Sequence, residues 1–240
     1  MSGTLYGLGV GPGDPELVTL KALRILRALP VVAYPAPPEG TSFARSVVAS
    51  HLSPAQTEIA IRVPMTRSVA PAQAVYDRAA IEIGGHLDAG RDVGVLCQGD
   101  PFFYGSFINL FTRLADRYRI EIVPGVSSLT ACAAAAALPL VSRDETLAVI
   151  PATLDEAELA RRLGDADVAA IVKLGRHVAK VRRVLDRLGL IDGAIYIEHA
   201  TLADQRVAPL ACIAPEEAPY FSMALVTRNR SHACRAESHG

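Results

Sequence analysis

Short apolar runs alternate with segments of helical period along nearly the whole chain. An apolar run at residues 5–10 is followed by residues 17–29, where Leu17, Val18, Leu20, Leu23, Ile25, Leu26 and Leu29 form a wide helical face. Strands are predicted at 31–34, 59–63, 93–97 and 120–123, interleaved with helices at 72–89 and 106–118. Beyond them, helices at 127–138, 155–163 and 177–188 alternate with strands at 147–150, 168–173, 194–198 and 222–227. This alternation predicts an α/β fold with mixed, largely parallel sheets. Independent α/β patterns lie on both sides of residues 118–124, so two domains are expected, 1–119 and 120–240.

Composition narrows the class. Half of the 240 residues are hydrophobic and a fifth are charged, which is globular usage and rules out a disordered chain. A formal net charge of −1 gives no support to a binder driven by phosphate neutralisation. No signal peptide and no membrane-spanning run is expected, and the protein reads as cytoplasmic. Cys97, Cys132, Cys212 and Cys234 are widely spaced with no C-x-x-C, so neither a disulfide framework nor a metal site is expected.

The chemistry gathers in loops that follow the strands. Gly7, Gly9, Gly11 and Gly13 come at every second position and run into Asp14 and Pro15, a cap and first-turn pair for a helix. The run is not a dinucleotide fingerprint: the third glycine of G-x-G-x-x-G would fall on Pro12 or Asp14. A second loop, Gln98-Gly99-Asp100-Pro101-Phe102-Phe103-Tyr104-Gly105-Ser106, brackets one acid and three aromatics between glycines. A third, Pro124-Gly125-Val126-Ser127-Ser128, puts hydroxyls at a helix start, where backbone N–H groups are unpaired. A fourth is Lys173-Leu174-Gly175-Arg176-His177.

These loops, in this order, together with Glu198-His199-Ala200-Thr201-Leu202-Ala203-Asp204-Gln205-Arg206, resemble the motifs of the tetrapyrrole methylase family, S-adenosylmethionine-dependent enzymes that methylate corrin and sirohaem precursors. The sirohaem branch carries paired glycines where Gln98-Gly99 stands and phenylalanine at the position of Tyr104. The resemblance therefore favours the branch that methylates carbon 20 of precorrin-2 in cobalamin synthesis. Cobalt-loaded precorrin-2 and uroporphyrinogen III are the alternative acceptors. Diphthine or ribosomal RNA, and a ligand-binding module without catalysis, are more distant readings; balanced charge and the absence of Trp weigh against RNA.

The resemblance implies two α/β domains flanking a central cleft, without a Rossmann cofactor site. It also implies a homodimer, a tetrapyrrole substrate, S-adenosyl-L-methionine as methyl donor, and no metal, nucleic acid or membrane partner. Carried over position by position, Pro12, Gly99, Asp100, Phe103, Ser127, Ser128, Leu174, Ala200, Ala224 and Leu225 would line the donor pocket, with Asp100 as its polar anchor. Tyr104, Glu198 and His199 are the candidates for the base that removes a proton after methyl transfer. Arg45, Arg62, Arg67 and Arg113 are the candidates to grip substrate carboxylates through paired hydrogen bonds.

Overall fold

The computed structural model describes residues 2–64, 69–214 and 218–228, divided between two compact units, Met1–Ser127 and Ser128–Gly240. The first unit holds β1 (Leu5–Gly9), α1 (Leu20–Ala28), β2 (Val31–Ala36), α2 (Phe43–Val47), β3 (Thr57–Arg62), α3 (Val69–Asp88), β4 (Val93–Cys97), α4 (Ile108–Leu114) and β5 (Ile120–Val123). Its sheet runs β3-β2-β4-β1-β5, and every pairing is parallel. A parallel sheet must be covered on both faces, which is why β4 is buried along its full length. Leu5, Ala33, Val93, Val95 and Cys97 pack under α3 and α4. Leu8, Val32, Tyr34 and Leu96 pack under α1 and α2.

The connection from β1 passes through α1 to β2, while that from β4 passes through α4 to β5 on the other side of β1. Adjacent strands β1 and β4 therefore send their chains in opposite directions at their carboxyl ends. This is the topological switch point at which open α/β sheets place ligands.

The first helix differs from its sequence pattern. Asp14 caps only the short turn Pro15–Leu17, accepting from the Glu16 N–H at 2.8 Å, and Val18 is extended. A second cap, Thr19, accepts from the Ala22 N–H at 3.2 Å and starts α1 afresh. Restarting the helix resets its phase: Ala22, Ile25, Leu26 and Leu29 are buried at helical spacing, and Leu20 is left 86% exposed. β5, which the sequence pattern assigns to the second domain, pairs with β1 from Leu5↔Ile120 to Leu8↔Val123, so the first unit continues to Ser127.

The second unit holds α5 (Ser128–Ala135), β6 (Leu147–Pro151), α6 (Glu156–Gly164), β7 (Val168–Val172), α7 (Val178–Arg187), β8 (Ala194–Glu198), β9 (Arg206–Pro209) and β10 (Ser222–Thr227). Its sheet runs β6-β7-β10-β8-β9. Only β6 and β7 pair in parallel; β10 lies antiparallel between β7 and β8, and β9 closes the edge antiparallel to β8. Both sheets are α/β as expected, but parallel pairing dominates only the first. Buried residues of α6 and α7, among them Leu159, Leu163, Val181 and Leu185, cover Ile171, Tyr196 and Ala224 on one face of this second sheet.

Candidate active site

At the switch point of the first unit three loops are sewn together by their backbones. Gly11 and Gly99 form an isolated antiparallel bridge: the Gly99 N–H donates to the Gly11 carbonyl at 2.7 Å, and the Gly11 N–H returns to Gly99 at 3.3 Å. The third loop lies so close that a Cβ on Gly9 would sit 2.5 Å from the Gly125 nitrogen. A Cβ on Gly125 would lie 2.8 Å from Gly9 Cα, and closer still to the Gly99 carbonyl. No L side chain fits either place, and Gly99 has φ +66 besides.

Asp100 completes the stitching. Its Oδ1 accepts from the Phe102 N–H at 2.9 Å, and its Oδ2 accepts from the Gly125 N–H at 3.1 Å. One carboxylate thus closes its own turn and fastens the loop after β4 to the loop after β5. Burial, reinforced by the charge of Asp100, pushes the Cys97 thiol beneath it well up from its ordinary value. Pro12 is buried, Phe103 is half-buried, and Tyr104 is exposed at φ +55 with its ring 5.2 Å from that of Phe103 in an edge contact.

A second cluster of motif residues forms within the second unit. β10 is antiparallel to β7 and β8, so its first residue, Ser222, starts at the edge where those two strands end. Ser222 is 8% exposed; its hydroxyl donates to the Pro219 carbonyl at 2.7 Å and accepts from the Gly175 N–H at 3.1 Å. Tyr196 is fully buried, and its hydroxyl donates to Glu198 Oε2. Burial and the neighbouring Glu198 both push the phenol up, so it stays a donor. Glu198 stands opposite Ser222 on one side and Arg206 on the other. His199 follows at φ +49, its N–H donating to the Phe221 carbonyl at 3.1 Å and its Nδ1 lying 2.7 Å from Asp204 Oδ2.

The remaining residues singled out in the sequence fall as follows. Leu174 is buried in the helix-side core, and its carbonyl accepts from the His177 N–H at 2.8 Å. Ala224 lies in that same core, whereas Leu225, its neighbour on β10, is buried outside it. Ser127 ends the first unit, Ser128 opens α5, and Ala200 is buried next to His199. Arg62 sits at the carboxyl end of β3 and donates to the Pro37 and Pro38 carbonyls at 3.0 and 3.1 Å.

Arg45 makes a two-point pair with Glu58 at 2.5 and 2.8 Å, and its guanidinium holds the Glu58 carboxyl below the usual range. Arg113 joins α4 to α3, donating to Asp77 at 2.7 Å and to the Gln73 side chain at 2.6 Å, and it also donates to the Asn109 carbonyl at 2.7 Å. Its contacts to Asp77 and Gln73 hold the two helices together. Arg67 lies outside the described residues.

The description Tetrapyrrole (Corrin/Porphyrin) Methylases matches residues 4–212, which takes in every one of these loops. The chain belongs to the tetrapyrrole methylase family. It is 46% identical over 239 residues to cobalamin biosynthesis protein CobIJ of Mycobacterium tuberculosis, covering 96% of this chain and 47% of that protein. The chain thus spans about half the length of that relative. It is 42% identical to precorrin-2 C(20)-methyltransferase of Sinorhizobium sp, over 93% of this chain and 95% of that one. A structure of uroporphyrin-III C-methyl transferase from Thermus thermophilus, complexed with S-adenyl homocysteine, has a TM-score of 0.67 and 26% identity. It covers 94% of this chain and 98% of its own.

For a tetrapyrrole methylase, two residues of these edges, Ser222 and Tyr196, carry no signal in local sequence, and a third, Asp204, carries only that of its motif. Ser222 reaches its place only because β10 runs against its neighbours. Tyr196 reads as one more core residue of β8. Asp204 stands inside the Glu198–Arg206 motif, but only the fold of that turn sets it against His199.

Proposed function

We propose that the chain is an S-adenosylmethionine-dependent methyltransferase that places a methyl group on carbon 20 of precorrin-2, giving precorrin-3A in cobalamin synthesis. One observation carries the choice of acceptor: the 42% identity to precorrin-2 C(20)-methyltransferase extends over nearly the full length of both proteins. The donor reading draws on the stitched edge of the first unit. A carboxylate, two adjoining aromatic rings and closely approached backbone suit a ligand carrying a flat base, hydroxyls and a positive charge.

When bound, the donor supplies an activated methyl on a sulfonium sulfur. The family resemblance assigns Pro12, Gly99, Asp100, Phe103 and Ser127 of the first unit to its binding, and likewise Ser128, Leu174, Ala200, Ala224 and Leu225 of the second. Gly99 and Asp100 also fix the loop shape through their bonds to Gly11, Phe102 and Gly125, and each Asp100 oxygen, holding one bond, keeps acceptor capacity to anchor the ligand. Leu174 and Ala224, whose side chains are in the core, act through backbone. The protein's remaining tasks are in-line alignment, exclusion of water and acceptance of one proton from the methylated carbon. Tyr104, Glu198 and His199 are the residues for that proton. Arg45, Arg62, Arg67 and Arg113 are the residues for the substrate's rim carboxylates, of which Arg45 is already paired with Glu58 and Arg113 with Asp77 and Gln73.

The enzyme works as a cytoplasmic homodimer in this reading. Exposed Ile81, Phe102 and Ile108 on the first unit supply apolar surface for such pairing. Incubation with S-adenosylmethionine and either metal-free or cobalt-loaded precorrin-2 tests the function. S-adenosylhomocysteine release, with carbon 20 assigned as the methylated position by NMR, is the expected outcome. Donor binding without turnover of either tetrapyrrole would defeat the reading.

A further inference from the structure

We propose that Arg62 is the specificity-determining contact to a side-chain carboxylate of the tetrapyrrole, and that the loop after β2 holds it ready for that contact. This rests on the reading above and selects among its candidate arginines. Charge compensation separates the three that the structure describes. Arg45 is neutralised by Glu58, which it meets at two points, and Arg113 by Asp77. Arg62 makes no ion pair among the described residues; its partners are two backbone carbonyls, which fix the guanidinium without cancelling its charge.

Nη1 carries both of those bonds, at 3.0 Å to Pro37 and 3.1 Å to Pro38. Two hydrogens meet two acceptors, and the Nη1 corner is complete. The opposite edge, Nε with Nη2, makes no hydrogen bond to a described residue. That edge has the spacing of a carboxylate's two oxygens. Arg62 is exposed and also borders an open cavity of about 250 Å³ shared with Arg78 and Glu82 of α3, so free space adjoins it.

Its place in the fold is the carboxyl edge of the first sheet. Arg62 is the last residue of β3, and its guanidinium reaches the segment that follows the end of β2. The sheet divides there. β2 pairs with β4 only as far as Ala33↔Val95, whereas its ladder to β3 runs on to Ala36↔Arg62. β4 continues instead with β1, as far as Gly9↔Cys97.

Pro35 supplies the physical reason. The Thr57 and Val63 N–H groups donate to the Pro30 and Ala36 carbonyls, so even-numbered residues of β2 bond toward β3 and Pro35 faces β4. It has no N–H to give, and the β2–β4 ladder stops. A two-stranded arm is left beside the switch point, with Arg62 at its tip. The loop beyond it is stiff: Pro37 and Pro38 fix their own φ, Gly40 turns the chain at φ +95, and buried Ser42 accepts from the Arg45 N–H at 3.3 Å to start α2. A guanidinium held in such a frame loses little freedom when it binds an acid.

The test compares wild type with Arg62→Ala, Arg62→Lys and, as a charge-loss control on α1, Arg24→Ala. Arg62→Ala should raise KM for precorrin-2 roughly five-fold with kcat within about two-fold, because a rim contact is made equally in the ground and transition states. Arg62→Lys keeps the charge but loses the two-point edge, and should stay about two-fold above wild type. Arg24→Ala should match wild type. The gap between wild type and Arg62→Ala should narrow in about 0.5 M salt as the pair is screened. A loop merely loosened by loss of Arg62 would show no such salt dependence.

An unchanged KM in Arg62→Ala would overturn the proposal, as would an equal rise in Arg24→Ala, a loss confined to kcat, or a gap that salt leaves intact. Failure of the functional reading looks different, because the wild type itself would then leave precorrin-2 unmethylated. Quenching of uroporphyrin III fluorescence would then read the same contact by binding alone. Weaker binding to Arg62→Ala than to wild type upholds it, and equal binding or none overturns it.

Discussion

Replacing Asp100 with alanine tests whether the first-unit edge is a built platform or a chance meeting of turns. The carboxylate accepts from two backbone amides, Phe102 at 2.9 Å and Gly125 at 3.1 Å. A hydrogen bond to a charged group is worth about 1.5–3 kcal/mol net, and Asp100 is only half-buried, so the low end applies to each. Losing both should cost about 3 kcal/mol. For a chain of this size that is a fall in Tm of roughly 6–12 °C. The two amides face the loops after β4 and β5, so donor affinity should fall together with stability.

Asp100→Asn keeps one acceptor oxygen and turns an NH2 toward the other amide, so it should lie between alanine and wild type on both measures. Urea unfolding gives the stability, and calorimetric titration with S-adenosylhomocysteine gives the affinity. The sequence alone suggests a direct ligand anchor whose loss leaves the fold untouched. A ten-fold loss of affinity in Asp100→Ala with no change in the unfolding midpoint would restore that simpler view and refute the clasp.

Three further outcomes are expected. Gly125→Ala drives a Cβ into Gly9 and the Gly99 carbonyl and should lose more than about 3 kcal/mol by urea unfolding; Gly164→Ala, with nothing within 4 Å of its Cβ, should be neutral or gain up to about 1 kcal/mol. Arg113→Ala should lower the unfolding free energy by about 1–2 kcal/mol with KM for the tetrapyrrole unchanged, whereas Arg62→Ala should raise that KM several-fold with kcat kept. At pH 8 iodoacetamide should label Cys212 in the folded protein, while Cys97 and Cys132, the latter pushed up to about 12 by burial, should react only after unfolding. Peptide mass mapping reads this directly, and rapid labelling of Cys132 in native protein would contradict it.

Much of this molecule is legible residue by residue. Runs such as Val93–Cys97 announce strands buried on both faces, and glycine spacing marks where backbone must approach backbone. The acid among the aromatics, the hydroxyls at 127 and 128, and the run from Glu198 to Arg206 are local facts. They are enough to place the chain in its family.

Other features depend on elements far apart in sequence. β9 has no apolar run to declare it, because three of its four residues are exposed and its hydrogen bonds to β8 hold it. β5 looks like the start of a second domain until its ladder to β1 claims it. Ala224 and Leu225 are neighbours on one strand whose faces go to different environments, which only the packing of α6 and α7 reveals. Ser222 meets Gly175 across 47 positions because β10 reverses direction. The Asp100 carboxylate accepts from an amide 25 residues away, and Asp204 turns back on His199. Local sequence sets which groups are present and the period of the segment that carries them. Which polar atoms are already spent on partners, and which are left to do chemistry, is decided when separate segments pack and each buried donor must find an acceptor.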